Sequence, residues 1–273
     1  MSYNTNTPPE GYSPIIPEYV TEPTLKLKSL PGPVIRVYEN FIPWYGSNRN
    51  NATLLYLGAG LGVDYFIHPM SDLTGGIPSN TNVVLISSNS EGDLDTALQQ
   101  NDSVAQANLK EFTQNGGVLI VDMGSNLVGG GFIAPGSTGT PDSEVRPDPV
   151  DKASLTAESL THPFVNGPIT LNNDNIDLSA GFWIAHGNLE EGITLPNNAT
   201  ILMTATFSGV EKPILAEYCY GSGKVILDTI TKEFVGQQPL GVEQSNILTN
   251  LFAYALSPRA TADCRMTRGI KLF

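Results

Sequence analysis

"NVVLISSNSEGDLDTALQQNDSVAQANLKEFTQNGGVLIVDMG", residues 82–124, decides the fold class. It opens and closes on short continuous apolar runs, "NVVLIS" (82–87) and "VLIVDMG" (118–124). Such runs are the pattern of strands covered on both faces. Between them Leu94, Ala97, Leu98, Ala105, Leu109 and Phe112 recur at near-helical spacing, and Gly116-Gly117 supplies the stop. Strand, helix, strand in this order requires a right-handed crossover and a parallel sheet.

The same alternation extends in both directions. Upstream, "TLLYLG" (53–58) reads as a further buried strand. It runs into the glycine cluster Gly58-Ala59-Gly60-Leu61-Gly62. A dinucleotide fingerprint needs a third glycine that opens a helix, but Val63 holds that position. Pro69, Gly75, Gly76 and Pro78 then break the following segment. The cluster therefore reads as a turn at the sheet's carboxyl edge, and no cofactor is expected. Downstream, "TILMTATF" (200–207) and "PILAEYCY" (213–220) read as strands. "GSG" (221–223) turns the chain into "KVILDTI" (224–230), so 213–230 is expected to be an antiparallel hairpin. "EQSNILTNLFAYAL" (243–256) is an amphipathic closing helix. The Gly- and Pro-rich stretch 124–150 leaves the carboxyl end of a central strand, where open α/β sheets place their ligands.

The pieces "LKEFTQNGGVLIVDMG", "THPFVNG", "PILAEYCYGSGKVILDTI" and "NILTNLFAYAL" together resemble the class I glutamine amidotransferase-like superfamily. The nearest branch is the trehalose-utilisation-type, non-glutaminase one, and the likeness spans about residues 53–257. It implies a flavodoxin-like three-layer α/β sandwich with a mostly parallel sheet and a C-terminal antiparallel hairpin. It does not carry an activity with it. A glutaminase needs a cysteine at a strand-to-helix elbow and a histidine downstream. No Gly-x-Cys-x-Gly occurs, and His186 is the last histidine of the chain, upstream of Cys219. The chain is therefore expected not to be an enzyme, with Cys219 a small buried hydrophobe.

Metal-type side chains are sparse. His68, His162 and His186 share no ligand spacing, and two of them precede proline. Asp64, Asp122 and Asp228 each stand at or just beyond the expected carboxyl end of a strand. There they are candidate oxygen ligands for a hard cation; the alternative is hydrogen bonding within strand-end loops.

Composition bounds the partners. The 273 residues carry 14 Lys and Arg against 27 Asp and Glu, a net charge of −13. That balance repels nucleic acid and anionic membrane. No apolar stretch approaches a membrane span, and the start "MSYNTNTPPE" is not a secretory leader, so synthesis in the cytoplasm is expected.

Three regions follow: a Pro-rich extended arm (1–33), an amidotransferase-like α/β domain (34–257) and a basic tail (258–273). The arm carries apolar teeth at Tyr12, Ile15, Ile16 and Tyr19. The tail carries Arg259, Arg265, Arg268 and Lys271, ends on Phe273, and holds Cys264 where an intersubunit disulfide could form. The leading expectation is a self-assembling structural protein whose arms contact neighbouring copies of the chain. The alternative is a carbohydrate-related ligand-binding or hydrolytic domain, with Asp122 and the 124–150 loop lining a pocket.

Overall fold

The computed structural model describes residues 32–39, 63–87, 103–123, 134–139, 153–176, 185, 187–190, 193–230 and 242–266. The arm residues Tyr12, Ile15, Ile16 and Tyr19, the expected strand 53–58 and its glycine cluster lie outside the described residues. So do Arg268, Lys271 and Phe273, and the side chain of Arg265.

One eight-stranded mixed sheet organises the described chain. Its strands are β1 (Val34–Tyr38), β2 (Asp64–His68), β3 (Val83–Ile86), β4 (Val118–Asp122), β6 (Ala153–Leu155), β8 (Thr200–Phe207), β9 (Val210–Tyr220) and β10 (Gly223–Asp228). A separate pair joins β5 (Thr138–Gly139) to β7 (Ile193–Thr194). The sheet order is β2-β1-β3-β4-β10-β9-β8-β6. The first five strands run parallel, and β9, β8 and β6 continue the sheet antiparallel.

Side chains alternate across the strands, so the sheet has two buried faces. On one, Val84, Ile86, Leu119, Val121, Val225 and Leu227 pack against Ala105 and Leu109 of α1 (Ser103–Gln114). On the other, Ile35, Val37, Leu85, Ile120 and Ile226 share a core with Ile247, Leu248, Leu251 and Phe252 of α2 (Val242–Leu256). Helix, sheet and helix make three layers, the flavodoxin-like α/β sandwich that the alternating pattern implies. A short α3 (Ala262–Met266) follows α2.

Two strands differ from the sequence reading. The parallel sheet begins with "VIRVY" at Val34, all five residues buried, not at residue 53. Arg36 interrupts that apolar run; its guanidinium lies over the Phe66 ring at 4.8 Å and bonds Thr81 Oγ1 at 2.9 Å. "DYFIH" forms β2, where glycines and prolines on either side suggest only a break.

The glycine signature has a packing cause. The β9–β10 turn abuts the C-terminal end of α1. A Cβ on Gly223 would lie 2.2 Å from the carbonyl oxygens of Gly117 and Thr113, and one on Gly221 would lie 2.5 Å from Gln114 Cα. Only glycine permits this approach. Ser222 N donates to Gln114 O (3.0 Å) and Lys224 N to Gly117 O (3.2 Å), which ties the hairpin tip to the helix end. The His-Pro turn is fixed from α2. Asn250 Nδ2 donates to Phe164 O (2.8 Å) and Ile169 O (2.6 Å), and its Oδ1 accepts from Ile169 N (3.1 Å).

Candidate functional site

Four of the five parallel strands, β1, β3, β4 and β10, end their apolar runs on a polar residue at one register level. Tyr38 pairs with Ile86, Ile86 with Val121, and Asp122 with Asp228. One residue beyond Tyr38 and Ile86 stand Glu39 and Ser87, so Glu39, Ser87, Asp122 and Asp228 form a row across β1, β3, β4 and β10. Ladder bonds extend to this level: Ser87 N donates to Tyr38 O (3.1 Å) and Met123 N to Asp228 O (2.7 Å). Alternation puts all four side chains on the α2 face, directly beyond the apolar row Val37, Leu85, Ile120 and Ile226. Strands about 4.8 Å apart make the row about 14 Å long.

The row lies at the carboxyl edge of the parallel strands, the ligand edge of open α/β sheets. Ser87, Asp122 and Asp228 are fully buried (0% exposed). Beside Asp228, Ile230 N donates to its Oδ1 (3.3 Å), and Thr229 Oγ1 donates to Gly187 O (2.8 Å). Burial pushes the Glu39 carboxyl up from 4.5 to about 7, against the lowering effect of its hydrogen bond with Ser87. Glu39 Oε2 is buried without a hydrogen-bond partner among the described residues.

Of the three aspartates expected to converge, two do. Asp122 and Asp228 are cross-strand partners. Asp64 instead opens β2, paired with Val34 at the amino edge, with its N–H donating to Pro33 O (3.0 Å). It stands three strands from β4 and about 16 Å back along the strand direction. The expectation fails because it takes Asp64 as the residue after a strand, whereas it begins one.

A second polar cluster occupies the amino end of β10. Lys224, 2% exposed, donates to Glu217 Oε1, to Tyr254 Oη (3.1 Å) and to Asp263 Oδ2 (3.3 Å). His162 Nδ1 accepts from Phe164 N (3.2 Å), which leaves Nε2 as the donor facing Glu217 Oε1 at 3.3 Å. Burial pushes Glu217 up, but the His162 hydrogen bond and the Lys224 charge outweigh it and hold the carboxyl below its ordinary value. Burial, and next the Glu217 charge, raise the Tyr254 phenol. His162 therefore shapes its turn and closes a charge network.

The cysteines correct the sequence reading. Cys219 is not a free hydrophobe, and Cys264 does not await a neighbouring subunit: the two form a disulfide within the chain, with Cα atoms 5.2 Å apart. Cys219, Asp263 and Cys264 are the one set of three metal-type donors that converges among the described residues, and its two sulfurs are bonded to each other. The start of the basic tail is docked on its own chain, with Ala260, Thr261 and Cys264 buried. Cys219 is also no elbow nucleophile, since it lies near the hairpin turn, away from the carboxyl edge. His68, the remaining described histidine, accepts from Arg36 Nη1 at Nε2 (2.8 Å) and faces Asp72 through Nδ1 (3.3 Å).

No helix among the described residues is long and apolar enough to cross a membrane. No family model and no curated protein matches the chain. Solved structures are similar to it. A ThuA-like protein from Bacteroides uniformis is 12% identical, with 87% of this chain and 96% of that one covered and a TM-score of 0.46. A cytoplasmic protein of Salmonella typhimurium LT2 is 16% identical, covering 87% and 99% at a TM-score of 0.45. A glutamine amidotransferase from Thermotoga maritima is 12% identical, covering 85% and 99% at a TM-score of 0.44. The α/β sandwich rests on this chain's own strands and helices, and its activity is left to its own residues.

Proposed function

We propose that this chain binds a neutral, hydroxyl-rich ligand of the carbohydrate class at the carboxyl edge of its sheet. The observation that carries the proposal is the row Glu39, Ser87, Asp122 and Asp228 at one register level. Carboxyl oxygens accept hydrogen bonds from hydroxyls, and a floor withdrawn from bulk water strengthens each bond. A chain of net charge −13 with acids along this floor disfavours phosphorylated and other anionic ligands. With its two cysteines paired as Cys219–Cys264, this reading expects no cysteine-dependent glutaminase activity. Glu39, titrating near neutrality, is the group suited to proton exchange if the site is hydrolytic.

Thermal melts with glucose, galactose, mannose, trehalose and their short oligomers test the reading. At least one sugar is expected to raise the melting temperature of the native chain and not that of Asp122→Asn. A native chain indifferent to every sugar at millimolar concentration would overturn the proposal.

Self-assembly through the terminal arms is the second reading. What favours it is β2, the end strand among the described residues, where Phe66 and Ile67 are exposed. Light scattering decides it: a strict monomer at high concentration removes this reading and leaves the first untouched.

A further inference from the structure

The C-terminal segment 257–266 is held differently from the helix before it. Ser257 ends α2 with a turn, its N–H and hydroxyl both donating to Tyr254 O (2.9 and 2.7 Å). Beyond it come a 3-10 turn, Pro258–Thr261, and the five-residue α3. Neither is long enough to be stable alone. Among its described side chains, those of 257–264, the segment buries only small ones, Ala260, Thr261 and Cys264. By contrast, α2 buries Ile247, Leu248, Leu251, Phe252 and Tyr254. Among the described residues two further ties hold the segment: the Cys219–Cys264 disulfide and the Asp263 carboxylate on Lys224 Nζ at 3.3 Å. The Asp263 side chain is 60% exposed, so its ion pair alone is a weak anchor. The covalent bond is therefore the principal tie on a segment of low intrinsic stability.

The two sulfurs are unequally placed. Cys219 is partly exposed near the end of β9, whereas Cys264 is fully buried beneath its own helix. An external thiol meets Cys219 first, and Cys264 is then the leaving group.

We infer that Cys219–Cys264 is a thiol-exchange site whose reduction unlatches the segment 257–266 while the α/β sandwich stays folded. The thiolate of a small thiol attacks Cys219 Sγ; the protein S–S bond breaks, and Cys264 departs as a thiolate that takes a proton from water. A second thiol molecule attacks the mixed disulfide, releases Cys219 as a thiol and leaves as the oxidised small-molecule disulfide. Two thiols are oxidised and one protein disulfide is reduced. Undocking then carries Asp263 away from Lys224.

The test is hydrogen exchange on the full chain, with and without millimolar reduced glutathione, with iodoacetamide labelling to count thiols. The inference expects two labelled thiols and at least about tenfold faster exchange over 257–266, with 246–256 unchanged. Cys264→Ser should show the same pattern without reductant, and trypsin should cut it faster after Arg259. Three results would each overturn the inference: a disulfide that glutathione leaves intact, equal exchange over 257–266 in both redox states, or a rise over 246–256 in step with the segment. The last would make the bond a staple of the whole fold. If Cys264→Ser does not fold, Cys219→Ser provides the same comparison with the buried cysteine retained.

Discussion

Two polar clusters lie on the α2 side of the same sheet, at opposite ends of β10, and they solve the problem of buried charge in opposite ways. At the amino end Lys224 faces Glu217, Tyr254 and Asp263, His162 completes the ring of donors and acceptors, and a disulfide closes over it. At the carboxyl end Glu39, Ser87, Asp122 and Asp228 present acceptor groups side by side. A network in which Lys224 and His162 face Glu217 and Lys224 also reaches Tyr254 and Asp263 ties the β9–β10 hairpin to the His-Pro turn, α2 and α3. A row of acids and a hydroxyl at the carboxyl edge is what the proposed ligand would use. The first cluster is read as architecture and the second as a binding floor.

The comparison breaks most visibly if the amino-end cluster is not structural. Its largest expected effect follows Lys224→Met, which leaves Glu217 buried without its cation and should cost about 3 kcal/mol in chemical denaturation. Asn250→Ala frees the His-Pro turn from α2 and should cost about 2 kcal/mol.

A smaller effect sharpens the carboxyl-edge half. Glu39 titrates at about 7 in the fold against 4.5 outside it. A carboxyl raised on folding binds its proton more tightly in the native state, so it favours folding at low pH. Its contribution is fully present below about 4.5, fades through the window up to about 7 and is gone above it. Glu39→Gln should therefore flatten that part of the stability–pH curve. The native chain should lose on the order of 1 kcal/mol more than the variant between those limits, after allowance for solvent screening.

How far the sequence carries this account depends on what kind of signal each feature leaves. Buried parallel strands leave continuous apolar runs, so β3 and β4 are legible at "NVVLIS" and "VLIVDMG". β1 is not, because Arg36 breaks its run, and the Phe66, Thr81 and His68 groups that satisfy the guanidinium are distant in sequence. The texture that resembles the amidotransferase-like superfamily is legible because packing demands it. Gly221 and Gly223 admit the end of α1, and Asn250 binds the turn after His162.

The candidate site is half legible. Asp122 and Asp228 stand out as acids that end apolar runs. Glu39 and Ser87 end such runs too, in "VIRVYE" and "NVVLIS", but only the register across four strands puts them in line. Asp64 looks equivalent until strand direction is known, and the register then sends it to the other edge. The disulfide leaves no local trace, since neither cysteine's neighbours encode a partner 45 residues away.

The central claim is that the polar row, and not the amino-end network, meets the ligand. Isothermal titration calorimetry tests it directly, using the sugar that most raises the melting temperature of the native chain. Asp122→Asn and Asp228→Asn should each weaken binding at least about tenfold, or about 1.4 kcal/mol, while Asp263→Asn binds as the native chain does. Row variants that bind with native affinity, or an Asp263→Asn variant that loses as much as they do, would contradict the account.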